Sequence, residues 1–593
     1  MISKKVVAAG LACAVAASAT LTGCSGSVTQ PGGTVSSSSE ATSTASAVSS
    51  GGGLAVPEDG NFGAEYTPSN DKYRTYYEIF PYSFYDSNGD GVGDLNGITQ
   101  KLDYLNDGDP KTTDDLGIEG IWLMPIMQSP SYHKYNIADY ETVDKLYGTN
   151  DDFKKLTEEA HKRNIHIIID LVINHSSRMH PWYKKAIEEL KEGKTDGYAQ
   201  YYHFEENHTG QGWRPTGVGN WYYECEFDSD MPDLNLQSEQ LRAEIEKLVK
   251  YWIDLGVDGF RLDAVKFYEA TGTDDSVADI KWLYDYAKTI KEDVYMVGEC
   301  YDSAGLIVQY YKSGIDSFFD FADQGGTGRV KNAVTSQNAK NYVETMEKWQ
   351  DNIRANNPNA INAPFISNHD TGRSAGFFTT NTARKLGAAL YILSPGNPFI
   401  YYGEEIAMTG SESDPDKRTG MYWSKDDSTG YVENVPGASK TVEKPDQSVE
   451  EALKDENSLL NFYKRVIRLN SQNPEIARGT IKAVDLGSKE TAGYVSEYNG
   501  SSVMVIYNLS EKSSEVEVPS DIFKINEIRG YLLADSGDGI IEEGTTTNID
   551  DILSVGGSSK SESSTSETKD DVKNVSVNGQ KVTLPSFSVI VLK

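Results

Sequence analysis

From about residue 71 to 480 the chain alternates strand-like and helix-like segments, and this alternation restricts the fold more than any other feature. Residues 75–80, 120–125, 165–172, 257–262, 295–298 and 399–402 read as short apolar strands. Between them lie amphipathic stretches. Leu241, Ile245, Leu248, Trp252 and Leu255 recur at helical spacing and stop at Gly256. Residues 148–164 form another helix, with Asn150 as its cap, acids in its first turn and Lys162 and Arg163 in its last. Repeated βα units imply a parallel sheet, and this length suits a closed (β/α)8 TIM barrel better than an open sheet. The alternation lapses over about 176–235, an aromatic, Gly-rich stretch that predicts a small domain inserted after the third strand. Residues 481–593 turn to short alternating β segments, which predict a C-terminal antiparallel β-sandwich. Within it, 556–571 is Ser- and charge-rich and reads as a loop without order.

The first 70 residues have a different character. Lys4 and Lys5 precede an apolar run over 6–17, followed by Leu21-Thr22-Gly23-Cys24. That is the pattern of a bacterial lipoprotein signal: removal of 1–23, lipidation of Cys24, and a Ser/Gly-rich tether over 24–70. It predicts a cell-surface lipoprotein anchored in the bacterial cytoplasmic membrane, a secretory signal with an incidental Cys being the alternative. The formal net charge of -34 argues against nucleic acid or anionic membrane as partners and suits a monomer acting on a neutral ligand. The 36 Tyr and 8 Trp supply flat rings of the kind that stack on sugars, although Tyr is equally a core residue. Past the signal only Cys24, Cys225 and Cys300 remain, which excludes a disulfide framework and leaves one Cys225–Cys300 bridge open.

Charged residues stand at the strand ends. Gly259-Phe-Arg261-Leu-Asp263 puts an Arg two residues before an Asp at the C-terminal end of a strand, where catalytic groups of such barrels collect. The Arg keeps the carboxylate ionised; taken alone, a structural ion pair explains the segment equally well. Asp170-Leu-Val-Ile-Asn174-His175 closes the third strand, Tyr295-Met-Val-Gly-Glu299 a later one and Phe365-Ile-Ser-Asn-His369-Asp370 another. Three acids and two His thus converge on one barrel mouth. Retaining glycoside hydrolysis needs one ionised carboxylate as nucleophile and one protonated carboxyl as acid, about 5–5.5 Å apart.

These segments, in this order, resemble the signature regions of the α-amylase family of retaining glycoside hydrolases over roughly residues 71–593. The resemblance implies that Asp263 is the nucleophile, Glu299 the general acid/base and Asp370 the third carboxylate that stabilises the distorted transition state. It makes Arg261 the group that orients the nucleophile, and His175 and His369 binders of sugar hydroxyls. In Ser131-Tyr-His133-Lys-Tyr135, His133 matches a further donor and Tyr135 the ring on which the cleaved sugar stacks. Lys266 matches a binder on the leaving-group side. Met231-Pro-Asp-Leu-Asn235 resembles a form intermediate between oligo-1,6-glucosidases and neopullulanases.

Asp86, Asn88, Asp90, Val92 and Asp94 place oxygen ligands at alternate positions, a spacing that suits Ca²⁺, and the family has a calcium loop after its first strand. The twelfth position is Gly97 rather than the Glu of an EF-hand, and a turn of solvated acids is the alternative. Asn174 matches a second calcium position of many relatives, whose remaining ligands the sequence does not identify. The expected protein is an endo-acting α-amylase hydrolysing α-1,4 bonds of starch and maltooligosaccharides with Ca²⁺ bound. The alternatives are an oligo-1,6-glucosidase, a neopullulanase or cyclomaltodextrinase, a transglycosylase, or a non-catalytic glycan-binding subunit. Ala264, where 1,6-specific members resemble one another in carrying Val, favours α-1,4 bonds.

Overall fold

The computed structural model describes residues 53–56, 67–68, 70–208, 210–269, 272–426, 430–440, 442–540 and 574–593. Cys24, the signal segment, most of the tether and the 556–571 loop lie outside the described residues. Within the tether, the Leu54 amide donates to Val577 O (3.0 Å) while its side chain packs on the C-terminal core.

Eight short parallel strands build the barrel: β1 Tyr76–Ile79, β2 Gly120–Leu123, β3 His166–Leu171, β4 Gly259–Leu262, β5 Tyr295–Gly298, β6 Ser317–Asp320, β7 Ala363–Pro364 and β8 Phe399–Tyr401. They run side by side in the order β7-β6-β5-β4-β3-β2-β1-β8. Helices cover the outside, so the strands are buried on both faces and read as continuous apolar runs. Aromatic rings fill the interior. Tyr76 stacks on Phe399 (4.7 Å) and Tyr295 (5.2 Å), and Phe319 packs against Trp122 (5.3 Å) and Phe399 (4.9 Å). Gly120 leaves room for this floor, since a Cβ there would lie 2.4 Å from the Tyr76 ring.

The expected helices form with corrected ends. Glu239–Asp254 is capped by Ser238 and stops at Gly256, whose φ of +99° is costly for a residue with a Cβ. The helix expected over 148–164 spans Asn150–His161, and Thr149, not Asn150, caps it. Asp152 decides this: Thr149 accepts its amide, and the Asp152 carboxylate returns to the Thr149 amide, closing a capping box. The stretch 176–235 contains a helix, Pro181–Lys191, that its composition obscures, and a three-stranded sheet of Phe204–Glu206, Trp221–Glu224 and Trp213–Pro215. Bridges His175↔Asp233 and Tyr202↔Leu234 close it onto the end of β3.

A five-stranded antiparallel sheet and a three-stranded one form the C-terminal β domain, beginning at Thr480. Val484, Ile506, Ile590, Val516, Val577 and Val582, drawn from both sheets, share its separate core. Cys225 and Cys300 are both buried and free, so the bridge left open by the sequence is not made.

Candidate active site

Strand register does the first positioning. On the β3–β4 ladder Asp170 lies opposite Arg261, and on the β4–β5 ladder Arg261 lies opposite Val297. The Arg261 side chain is fully buried, 5.3 Å above the Trp122 ring. Its Nη1 donates to Asp170 Oδ1 (2.7 Å) and Asp263 Oδ1 (2.5 Å), and its Nη2 pairs with Glu299 Oε2 (2.9 Å). One planar guanidinium therefore holds carboxylates from the ends of β3, β4 and β5. Asp263 and Glu299 sit on its two terminal nitrogens, which brings them within several ångströms of each other.

Just past β4 the backbone turns sharply. Ala264 adopts φ +50°, ψ +36°, a left-handed conformation that costs an L-residue about 1–2 kcal/mol. The turn points its amide at Glu299 Oε2 (2.9 Å). Burial raises the Glu299 pKa, Asp263 and Asp370 add to the rise, and Arg261 with the Ala264 N–H opposes it. Glu299 Oε2 is held twice, leaving Oε1 as the oxygen for a proton.

The loop after β7 brings the second group. The His369 imidazole is fully buried, with Nδ1 on Glu78 Oε1 of β1 (2.6 Å) and Nε2 near Tyr135 OH (2.7 Å) and Asp370 Oδ2 (2.9 Å). Burial works against the imidazolium, but the two carboxylates win and raise His369 to about 9. Desolvation opposes ionisation of Asp370, but its side chain is 41% exposed at the mouth, which weakens that opposition, and His369 and Arg418 hold its carboxyl well below the usual range. Arg418 donates through Nη2 to Asp370 Oδ1 (2.8 Å) and through Nε to His369 O (3.0 Å).

Around these groups stand the expected binders. The half-buried Tyr135 ring lies 5.5 Å from His369 at an interplanar angle of 18°, and its hydroxyl donates to Asp170 Oδ2 (3.0 Å). His133 Nδ1 accepts the Tyr135 amide (3.2 Å), which leaves Nε2 as the donor, and burial with Arg418 nearby pushes the ring down to about 4. His175 is buried, which lowers its pKa, and its Nε2 has no hydrogen-bond partner among the described residues, as expected of a group whose partner is a ligand. Lys266 stands farther out, paired with Asp302 (2.9 Å).

The 86–94 loop lies apart from this cluster. Asn88 and Gly89 donate to Asp86 Oδ1 (2.8 and 2.6 Å), Gly91 donates to Asp86 Oδ2 (2.7 Å), Asp90 donates to Asn88 Oδ1 (3.0 Å) and Val92 donates to Asp90 Oδ1 (2.9 Å). Asp94 accepts from Ser87 and caps the helix Leu95–Gln100. Among the described residues no three or more His, Cys, Asp or Glu are grouped to hold a metal ion. The donor set is all oxygen, which suits a hard cation: Asp86 Oδ2, Asn88 Oδ1 and Asp90 Oδ1 each accept one amide and keep a second lone pair, whereas Asp86 Oδ1 and both Asp94 oxygens already accept at least two bonds. Asn174 Oδ1 is buried without a hydrogen-bond partner among the described residues, and its side-chain amide lies 3.3 Å from Asp233 Oδ1.

Four contributors escape sequence reasoning as site residues: Glu78, Asp170, Trp122 and Arg418. The first two leave a signal, a carboxylate inside a fully buried strand. Arg418 leaves none, because it lies in a long irregular connection after β8.

The model of the α-amylase catalytic domain matches residues 78–479. The chain is 36% identical over 451 residues to the protein named Alpha-amylase 3 of Dictyoglomus thermophilum, covering 74% of this chain and 85% of that protein. It is 28% identical over 543 residues to the Oligo-1,6-glucosidase of Parageobacillus thermoglucosidasius, covering 77% and 93%. The solved structure titled Eubacterium rectale Amy13B superimposes with a TM-score of 0.79 at 38% identity, covering 91% of this chain and 99% of that one.

Proposed function

Because the chain belongs to the α-amylase family of glycoside hydrolases, we propose that it is an α-amylase cleaving α-1,4 bonds of starch and maltooligosaccharides with retention of configuration. The observation that carries this reading is the sharing of Arg261 between Asp263 and Glu299. Asp263 Oδ1 is fixed by the guanidinium, so Oδ2 attacks the anomeric carbon. Glu299, whose pKa burial raises, gives its proton to the glycosidic oxygen, and the leaving chain departs as an alcohol. The bond to Asp263 is then broken by water whose proton returns to Glu299, and two inversions give retention. Asp370, His369 and His175 grip the hydroxyls of the distorted ring, and Tyr135 stacks on it. These interactions count toward rate only where they strengthen in the transition state.

The α-1,4 preference rests on Ala264 beside the reacting centre and on the likeness to a protein named as an α-amylase; the likeness to oligo-1,6-glucosidases supports side activity on α-1,6 bonds. We assign Ca²⁺ to the oxygens of Asp86, Asn88, Asp90, Val92 and Asp94 as a structural ion, and the lipid anchor to Cys24. The test is a time course on soluble starch, pullulan and isomaltose, with Asp263→Asn and Glu299→Gln alongside. Early release of mixed maltooligosaccharides from starch, abolished in both variants, is expected. More than about a tenth of the wild-type rate in either variant would remove the two-carboxylate assignment.

A further inference from the structure

We propose that Glu404 is a positioning residue for His369 and Asp370, acting through Ser367 across the β7–β8 junction of the barrel. This rests on the functional reading above.

Strands β7 and β8 stand at the two ends of the sheet order, and no ladder joins them among the described residues. β7 has only two residues, and Pro364 has no N–H to donate. At the foot of the gap a single backbone bond, Asn397 N–H to Asn362 O (2.8 Å), ties the strands. Gly396 permits that approach, since a Cβ there would lie 2.1 Å from Asn362 O. Above it, residues 365–370 leave the sheet: Ile366 O accepts from Gly325 N–H (3.0 Å), and no backbone bond joins 367–370 to β8 among the described residues. His369 and Asp370 hang from this stretch.

A buried knot of side chains occupies the top of the same gap. Glu404, three residues past β8, accepts from Ser367 Oγ through Oε2 (2.7 Å) and from Tyr391 OH (2.6 Å) and Tyr463 OH (2.7 Å) through Oε1. Tyr391 and Tyr463 belong to the helices Asn381–Ile392 and Leu459–Ser471. All four residues are buried. Three hydroxyls from three elements therefore converge on one carboxylate that forms no ion pair among the described residues, and burial raises it to about 7. A buried carboxylate is expensive and packs no better than an apolar side chain. What it adds is a directed bond to Ser367, two residues before His369, where the sheet supplies none. The neighbouring Glu405 provides an internal control. It accepts from Tyr77 OH (2.6 Å) and Tyr104 OH (2.7 Å), and so ties the β8 end to β1 and the helix Leu102–Leu105 without touching the β7 loop.

The test compares Ser367→Ala with Tyr104→Phe, each losing one hydroxyl bound to a buried glutamate. Melting temperature, kcat and KM are measured on maltotetraose and on an aryl α-maltoside with a good leaving group. Ser367→Ala is expected to lower kcat about tenfold to a hundredfold, because misplacing a transition-state group by about an ångström costs that much. The loss should be equal on both substrates, since Asp370 and His369 serve the sugar and not the leaving group, and KM should change less than about threefold. Tyr104→Phe should lower the melting temperature to a similar extent with kcat unchanged. Two results would overturn the proposal: Ser367→Ala within about twofold of wild-type kcat, or a loss on maltotetraose that the aryl substrate rescues, which would point to Glu299. Asp370→Asn run alongside separates the two layers. If it retains full activity, the assignment of Asp370 has failed; if it is inactive while Ser367→Ala is normal, only the role of Glu404 has.

Discussion

Replacing Ala264 by Val probes linkage preference at the tightest point of the site. Ala264 is almost fully buried and already left-handed at φ +50°. Two γ-methyl groups must then fit against the flanking carbonyls in a conformation β-branched residues avoid. Overpacking of this kind costs about 1–3 kcal/mol of stability. The amide bond to Glu299 does not involve the side chain, so Glu299 is expected to keep its place. The added bulk lies beside the reacting carbon, where a leaving sugar joined through its 4-hydroxyl must pass. One or two methyl groups in a pocket discriminate by about 1–3 kcal/mol, or 10–200-fold. The assay is kcat/KM on maltotriose and on isomaltotriose, for wild type and variant, well below the variant's melting temperature. Wild type should favour maltotriose, and the variant should lose efficiency on it more than on isomaltotriose. Equal losses on both substrates would mean that Val merely strains the turn. Equal or greater wild-type efficiency on isomaltotriose would replace the α-amylase reading with the oligo-1,6-glucosidase one.

Three further outcomes are expected. His369 is raised from an ordinary value near 6.5 to about 9 by Glu78 and Asp370, so its charge stabilises the fold fully below about pH 6.5 and is lost as pH climbs through about 9. Up to about 3 kcal/mol should disappear over that window in denaturant titrations of wild type, and a His369→Gln variant that loses as much over the same window would refute the pairing. Chelation should lower the melting temperature by removing an ion that binds only the native state, while Asp90→Ala should melt lower and ignore the chelator; unchanged melting in both experiments would remove the Ca²⁺ assignment. Cys24→Ala should release active enzyme from the membrane fraction, and a wild type already wholly soluble in vivo would end the lipoprotein reading.

What could be read from the sequence follows from free-energy cost. A charge in a buried strand is expensive, so Arg261, Asp263, Glu299 and His369 stand out as soon as the strands around them are recognised. Glu78 and Asp170 satisfy the same criterion inside buried strands, yet nothing in a linear chain says what they face. β7 evades periodicity because two residues carry no period. Thr149 and Asn150 are both good caps, and only the return bond from Asp152 separates them.

Partnership, as opposed to residue type, comes from register. Asp170 and Arg261 are 91 residues apart and meet because the β3–β4 ladder sets them side by side. A one-residue slip of β4 would turn Arg261 away from the barrel axis and leave the buried Asp170 without its cation. Removing one partner of a buried ion pair costs about 3–5 kcal/mol, so the charges select the register as firmly as the apolar pattern does. The same logic explains why the β7–β8 junction, which has no ladder to select a register, carries a side-chain tie at its mouth. There the geometry of Asp370 depends on hydroxyls that alignment of apolar positions would never reveal.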